Sequence, residues 1–181
     1  MRVTLDIQDD GWAQVSYHHE LANLGTCPMS RLSRQLWFEH TQGPLKITPT
    51  EVGGRRITIQ RTHDTPSSAQ FARLISPPIR PGESAIVGYT CEGCRFVSDH
   101  YWRQSIARHT RQLTIHLHHY GAAGLNDYTA TEEHPDGAEN SATESLEWDE
   151  HDGAVDITLT RQYLRPEQAV TLRWKVSHES P

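Results

Sequence analysis

Two pairs of potential metal ligands stand at spacings that could support chemistry. Cys91 and Cys94 are separated by two residues, which is the spacing of half a tetrahedral zinc site. His116 and His118 are two residues apart, so both imidazoles share one face if they lie on a strand. Together the four side chains would form a Cys2His2 zinc site. We predict a chain without a cofactor, and this zinc site is the alternative. Strand alternation disfavours that site, because it places Cys91 on the apolar face of its segment.

The motifs of known catalytic sites are incomplete in this chain. His63 precedes Cys91 by about the distance that separates His-x-Glu from Pro-Cys-x-x-Cys in zinc deaminases. Thr65, however, stands where the catalytic glutamate is required, and Thr90 stands where the proline is required. Neither a Gly-x-Ser-x-Gly nucleophile elbow nor a Gly-rich phosphate-binding motif occurs. We therefore expect no catalytic residues.

Arginine and aromatic residues alternate between residues 95 and 111. Tyr101, Trp102, Arg103 and Arg108 combine flat rings with guanidinium groups. Such combinations bind single-stranded nucleic acid, form contacts in protein interfaces, or stack on one another inside a fold. If they do not serve the fold itself, we expect these four residues to contact a protein partner or a small ligand rather than nucleic acid.

Two similar phrases introduce the segments that must hold these residues in place. Arg80-Pro81-Gly82-Glu83 and Arg165-Pro166-Glu167-Gln168 each have the composition of a turn, and each is followed by apolar residues at every second position. This pattern predicts two strands, each with one buried face. The predicted faces consist of Ala85, Val87, Tyr89 and Cys91 in one strand and of Val170, Leu172, Trp174 and Val176 in the other.

Alternation with a period of two recurs along most of the chain and gives about ten candidate strands, whereas no segment has the pattern of a long amphipathic helix. We predict an all-β, antiparallel, immunoglobulin-like β-sandwich, single or double. Two stretches depart from the pattern. Residues 95–111 predict a short helical or irregular crossover, with Ser98 as the helix cap. Residues 121–145 predict a long polar connection with at most one short strand near Tyr128.

The domain prediction is one β-sandwich over residues 1–181, with possible sub-units 1–95 and 108–181. The prolines of the two arginine-proline phrases are 85 residues apart, from Pro81 to Pro166. The sequence before the Asp-Gly turn at residue 10 also resembles the sequence before the one at residue 152. A distant duplication would explain both repeats, although unrelated hairpins also converge on such residues.

Charge and composition limit the classes of partner. Residues 1–121 hold 13 basic and 10 acidic groups, whereas residues 122–181 hold 4 basic and 13 acidic groups. The acidic part repels phosphate backbones, which disfavours nucleic acid as a partner. No stretch approaches the roughly 18 apolar residues of a membrane helix, and the first residues lack the apolar core of a signal peptide. Three cysteines, an odd number, do not suggest a disulfide scaffold. We therefore expect a cytoplasmic protein.

Several short motifs follow one another along the chain: Leu21 and Asn23, Pro28, Pro78 to Glu83, Tyr89, Tyr101-Trp102-Arg103, Thr110 to Ile115 and Leu172-Arg173-Trp174. In this order the chain resembles the C-terminal β-rich domain found behind helix-turn-helix units in actinobacterial Xre-like regulators. That resemblance implies a regulatory domain that senses a ligand or binds a partner, and it brings no catalytic residues. The first predicted strand begins at about Val3, so the resemblance does not carry DNA binding over to this chain.

The expected function is a non-catalytic, regulatory binding module that recognises a protein or a small ligand. Loops at the ends of a sandwich commonly carry recognition, so we expect contacts at residues 95–111 and 126–152. Two alternatives remain open. Convergence of several histidines on one pocket would indicate a metal-dependent enzyme or zinc-binding protein. Exposed edge strands would allow a homo-oligomer or structural assembly subunit.

Overall fold

A computed structural model describes residues 1–50, 53–97 and 100–177 and contains β-strands with one three-residue 3₁₀ helix, Thr143–Ser145. The all-β prediction is therefore confirmed. The strands are β1 (Arg2–Ile7), β2 (Trp12–Ala22), β3 (Met29–Trp37), β4 (His40–Thr50), β5 (Arg56–Thr65), β6 (Ser68–Ile79), β7 (Ser84–Arg95), β8 (Tyr101–Ser105), β9 (Thr110–Tyr120), β10 (Gly124–Glu133), β11 (Glu139–Ser141), β12 (Leu146–His151), β13 (Ala154–Leu164) and β14 (Ala169–Ser177).

The chain forms two compact units. Unit 1 combines Met1–Gly11 with the chain from Phe96 onward, and unit 2 is Trp12–Arg95. The N-terminal strand belongs to unit 1 because β1 pairs with β9.

Unit 2 contains two antiparallel three-stranded sheets, ordered β2-β7-β4 and β3-β6-β5. Along β2, Ala13, Val15 and Tyr17 are buried at alternate positions, as the period of two requires. Side chains of both sheets meet in one apolar cluster, to which Leu32, Ile57 and Ile75 contribute from one sheet and Val87 from the other. The outward positions are polar, which leaves one face of each sheet in water.

Unit 1 also contains two groups of strands. One has the order β12-β13-β9-β1, in which β1 and β9 run parallel and the other pairs are antiparallel. The other has the order β11-β10-β14-β8 and is antiparallel throughout. The interior of unit 1 contains a charged group, the buried carboxylate of Glu132 on β10. This carboxylate accepts hydrogen bonds from Arg161 at 2.7 and 3.0 Å and from Gln168 at 2.9 Å.

The two units share one set of strand pairings. The order β2-β7-β4 of unit 2 corresponds to β8-β14-β10 of unit 1, and β3-β6-β5 corresponds to β9-β13-β12. All of these pairs are antiparallel, and the corresponding strands follow one another in the same chain order. This correspondence supports the duplication that the repeated phrases indicate.

The arginine-proline phrases form the same turn in both units. The backbone N–H of Glu83 donates to the carbonyl of Arg80 at 3.0 Å, and the N–H of Gln168 donates to that of Arg165 at 3.3 Å. The side chains of Glu83 and Gln168 each accept a further hydrogen bond from the backbone N–H three residues earlier. Each turn therefore closes on itself before the strand that follows.

Most of the buried faces predicted after these turns are confirmed, since Val87, Tyr89 and Cys91 in β7 and Leu172 and Trp174 in β14 are almost completely buried. Val176, predicted on the same face of β14, is only half-buried. For residues 95–111 the helical alternative is wrong, because the described residues there hold the strand β8 next to irregular segments; Ser98 lies outside the described residues. The polar stretch 121–145 holds the ten-residue strand β10 and the short β11 rather than a connection with one short strand.

Candidate functional site

A groove crosses the outward face of the β3-β6-β5 sheet in unit 2. Along β3, Leu32 and Leu36 point into the core, so that Ser33 and Gln35 point to solvent. Register places Gln35 opposite Gln70 of β6, and the hydrogen-bonding groups of the two strands therefore face the same space. The apolar alternation of β3 thus positions a polar surface on its other side.

A β-bulge in β5 gives the groove its second wall. The register between β5 and β6 shifts between Arg61 and His63, which leaves Thr62 without an opposite residue. The Thr62 hydroxyl donates to the backbone carbonyl of Gln70 at 3.0 Å. The groove has a volume of about 370 Å³, within the ~300–1,000 Å³ range of small-molecule sites; it is lined by Ser33, Arg34, Gln35, Thr62, Gln70 and Phe71.

An exposed tryptophan and an arginine flank the groove along β3. Trp37 lies two residues beyond Gln35 on the same face, opposite Ser68, and is 55% exposed. At the other end, Arg31 reaches across β6 and donates to the Gln60 side chain at 2.6 Å. The face therefore offers an aromatic ring, then amides and hydroxyls, then a guanidinium that is already hydrogen-bonded.

Stacked aromatic rings support the groove from the inside of unit 2. The rings of Tyr17 and Tyr89 stack with centroids 4.5 Å apart, and Phe71 meets Tyr89 edge-on at 5.2 Å. The guanidinium of Arg34 lies 5.3 Å from the Tyr17 centroid, and that of Arg73 lies 5.2 Å from the Tyr89 centroid. Cation–π contacts of this kind fix both arginines against the rings, so Arg34 and Phe71 form a rigid floor.

This interior is electropositive. Burial first, and then the positive charges of Arg73 and Arg34, hold the pKa of His19 well below its usual value, so the imidazole is neutral. Burial also raises the pKa of Tyr17, which keeps its hydroxyl protonated. The groups beneath the groove therefore hold fixed protonation states near neutral pH.

The cysteines predicted as metal ligands are core thiols. Cys91 and Cys94 are both buried, and the Cys94 thiol donates to the carbonyl of Ala13 at 3.4 Å. The neighbouring Cys94, and then burial, raise the pKa of Cys91, so its sulfur remains a protonated thiol. The pair lies in unit 2, whereas His116 and His118 lie on β9 of unit 1.

Three histidines of unit 1 surround one carboxylate. His118 Nδ1 is hydrogen-bonded to Asp156, His116 Nε2 lies 3.7 Å from the same carboxylate, and His151 Nε2 lies 3.4 Å from it. His151 was not part of the sequence prediction, because only the β12-β13 register brings it to this face. Within residues 1–50, 53–97 and 100–177, no group of three or more potential ligands is arranged to hold a metal ion.

Of the histidines whose convergence would indicate an enzyme, His116 and His118 share the Asp156 carboxylate, whereas His63 and His100 have other surroundings. His63 is exposed on β5 of unit 2. In unit 1, His100 stacks on Trp174 with centroids 5.7 Å apart, whereas His116 is hydrogen-bonded to Thr158 and His118 to Asp156. Each unit 1 imidazole therefore has a local structural partner.

The predicted contact residues lie on or just after β8. Trp102 is buried at 7% exposure, and the Arg173 guanidinium lies 5.3 Å from the Tyr101 ring centroid. Arg103 donates to Glu133 at 2.7 to 3.2 Å, and this hydrogen bonding lowers the pKa of Glu133. Arg108 is exposed in the segment after the strand. A partner contact here stays a prediction.

No family model and no curated protein matches the chain. The resemblance to Xre-like regulators, the regulatory role and the cytoplasmic location therefore stay predictions. Among the described residues, no helix has the length and apolar character needed to cross a membrane.

Sequence analysis did not predict the groove. The outward residues of β3 are visible as an alternation of leucines with polar residues, but that segment is equally compatible with a short helix. Gln70 and Thr62 join Gln35 only through cross-strand register and a bulge, and neither has a signature in the local sequence.

Proposed function

We propose that the chain is a non-catalytic binding module, built of two immunoglobulin-like β-sandwich units, that binds a small ligand in the groove of unit 2. The observation that carries this proposal is the groove itself, where Ser33, Gln35, Thr62 and Gln70 direct hydrogen-bonding groups into one concave space. Concave sites with a few convergent polar groups are where small ligands bind.

The chemistry of the lining supports binding rather than catalysis. Amide and hydroxyl groups donate and accept hydrogen bonds, but they do not exchange protons near neutral pH. Arg34 and Phe71 are fixed by ring contacts below, so the groove keeps its shape without a ligand. A preformed site of this kind avoids the entropic cost of ordering its side chains on binding.

The first test fills the groove. In Ser33→Tyr, a large side chain that strands tolerate occupies the groove beside Gln35, on the same face of β3. In the control variant Thr58→Tyr, the same side chain stands on an exposed position of the same sheet, opposite Leu74 and away from the groove. A mixture of small polar metabolites is titrated into ¹⁵N-labelled protein, and backbone amide shifts are mapped.

We expect ligand-induced shifts at Ser33, Gln35, Thr62 and Gln70 in the wild type and in Thr58→Tyr, and their loss in Ser33→Tyr. Shifts confined to other residues, or shifts of equal size in Ser33→Tyr, would contradict the proposal. A thermal unfolding curve of each variant verifies that the substitution leaves the fold intact.

A further inference from the structure

We infer that the ligand of the groove is a saccharide, with one sugar ring stacked on Trp37 and hydroxyl groups of the same or the next ring bound by Gln35 and Gln70. This inference rests on the proposed function, since it names the ligand class of the same groove. It depends on two features of the outward face of β3-β6-β5: an exposed tryptophan, and a lining in which Arg34, whose guanidinium lies against the Tyr17 ring, is the one charged residue among those described.

The lining matches the chemistry of sugar hydroxyls. Each hydroxyl of a sugar both donates and accepts hydrogen bonds, and so do the amides of Gln35 and Gln70 and the hydroxyl of Ser33. Gln35 and Gln70 are directly opposite, so their Cβ atoms lie about 4.5–5.5 Å apart. Their amide groups can therefore bind neighbouring hydroxyls of one sugar ring. Amides and hydroxyls cost less to desolvate than charged groups, and a ligand that hydrogen-bonds to them offsets that cost, which suits an uncharged ligand rich in hydroxyls.

Trp37 supplies the apolar half of the site. Its side chain is 55% exposed on the row next to the Gln35–Gln70 pair, and one strand repeat of two residues places it about 6.5 Å farther along β3. The C–H groups of a sugar ring form a flat apolar face, and burying that face against the indole removes apolar surface of both from water. An exposed ring beside a polar groove thus fits a ligand with one apolar and one polar side.

Other ligand classes fit this face less well. Nucleic acid binding requires several cations placed along a phosphate backbone, whereas the exposed Arg31 of β3 and Arg56 of β5 are not among the residues that line the groove. A peptide that adds a strand binds at a sheet edge, whereas this groove lies on the face, over the central strand β6. A saccharide uses the tryptophan and the amides together.

The experiment measures affinity for defined neutral oligosaccharides, namely hexamers of β-1,4-glucose, α-1,4-glucose, β-1,4-xylose and β-1,4-N-acetylglucosamine, by isothermal titration calorimetry. Two variants of the full chain remove one exposed tryptophan each. Trp37→Ala removes the proposed stacking ring. The matched control Trp148→Ala removes a ring of similar exposure, 46%, on β12 of unit 1.

We expect at least one hexamer to bind the wild type, with Trp37→Ala weakening the affinity about tenfold or more and Trp148→Ala leaving it unchanged. Gln70→Ala should weaken it roughly two- to tenfold, the effect of losing one hydrogen bond between uncharged groups. Trp37→Phe should retain part of the affinity, because a smaller aromatic ring still stacks.

Two outcomes would overturn the inference. If no hexamer binds while polar metabolites still shift the groove amides, the saccharide assignment is wrong and the binding site stands. If a hexamer binds with equal affinity to Trp37→Ala and to Ser33→Tyr, the ligand lies elsewhere, and both the assignment and the proposed function are wrong.

Discussion

His19 is a titratable group whose environment favours only its neutral form. It lies on β2 near the ring stack of Tyr17 and Tyr89, with ring centroids 6.1 and 6.4 Å away. The buried Nε2 of His19 has no hydrogen-bond partner among the described atoms. An additional proton would place a third positive charge close to Arg34 and Arg73 in a buried environment. The imidazole therefore acts as a flat packing element beneath the groove.

The depressed pKa of His19 makes stability depend on pH. The unfolded chain takes up a proton below about pH 6.5, whereas the folded chain resists it, so acidification favours unfolding. We predict that the free energy of unfolding of the wild type falls relative to that of His19→Phe by at most about 1.4 kcal/mol per pH unit below pH 6.5. Urea unfolding of both proteins between pH 8 and pH 5 measures the difference.

Above pH 7.5 the difference between wild type and His19→Phe should be constant, because neither state of the wild type then protonates the imidazole. A difference that stays constant down to pH 5 would show that His19 protonates as readily in the folded protein as in the unfolded chain. That result would contradict the description of the interior of unit 2 as electropositive.

The carboxylate of Glu132 depends on its partners in the interior of unit 1. It is 8% exposed and accepts hydrogen bonds from Arg161 and Gln168. We predict that Glu132→Ala lowers the free energy of unfolding by about 2–4 kcal/mol, because it leaves the Arg161 charge partly buried without its carboxylate. Equilibrium urea unfolding provides the measurement.

The neighbouring residue gives the control for this prediction. Glu133 binds Arg103, whose side chain is 47% exposed, so Glu133→Ala should cost no more than about 1 kcal/mol. Replacing Glu132 and Arg161 together by leucine should restore most of the stability, since no charge then remains buried. Equal losses from Glu132→Ala and Glu133→Ala would contradict the buried network.

At the scale of elements, the repeated turn explains why β7 and β14 were predictable while β10 was not. A turn rich in proline and polar residues followed by apolar alternation has a local signature, and both strands follow it. In β10 the inward positions include Ala130 and the charged Glu132, so the alternation that marks a buried strand is interrupted. The inward glutamate is stabilised by Arg161 and Gln168, which are remote in sequence, so the local sequence does not show these contacts.

The two turns differ at their third and fourth residues, and the difference at the third predicts a stability effect. Gly82 and Glu167 occupy the same position, with φ of 79° and 70°. This left-handed conformation is without steric cost only for glycine. We predict that Glu167→Gly raises the free energy of unfolding by about 0.5–1 kcal/mol, whereas Gly82→Ala lowers it by about 1 kcal/mol.

A Cβ atom added at Gly82 meets nothing within 4 Å, so the backbone conformation is the sole cost expected for alanine there. Thermal and urea unfolding of both variants test the pair. A loss of stability in Glu167→Gly would mean that the two turns are not equivalent.

At the scale of the whole chain, two units with the same strand pairings carry different outward surfaces. The outward face of β3 presents Gln35 and Trp37, whereas the corresponding strand β9 presents His116 and His118. The bulge that forms the groove wall occurs in the β5-β6 pair, while the corresponding β12-β13 pair has no register shift. The two units thus share their strand pairings and differ at solvent-facing positions, where substitutions cost little.

The central claim is that the groove of unit 2 is the binding site of this protein. Calorimetric titration of the tightest-binding hexamer into the wild type, Ser33→Tyr and Thr58→Tyr tests it most directly. The claim predicts equal affinity for the wild type and Thr58→Tyr and no measurable binding to Ser33→Tyr. Unchanged affinity in folded Ser33→Tyr would contradict it.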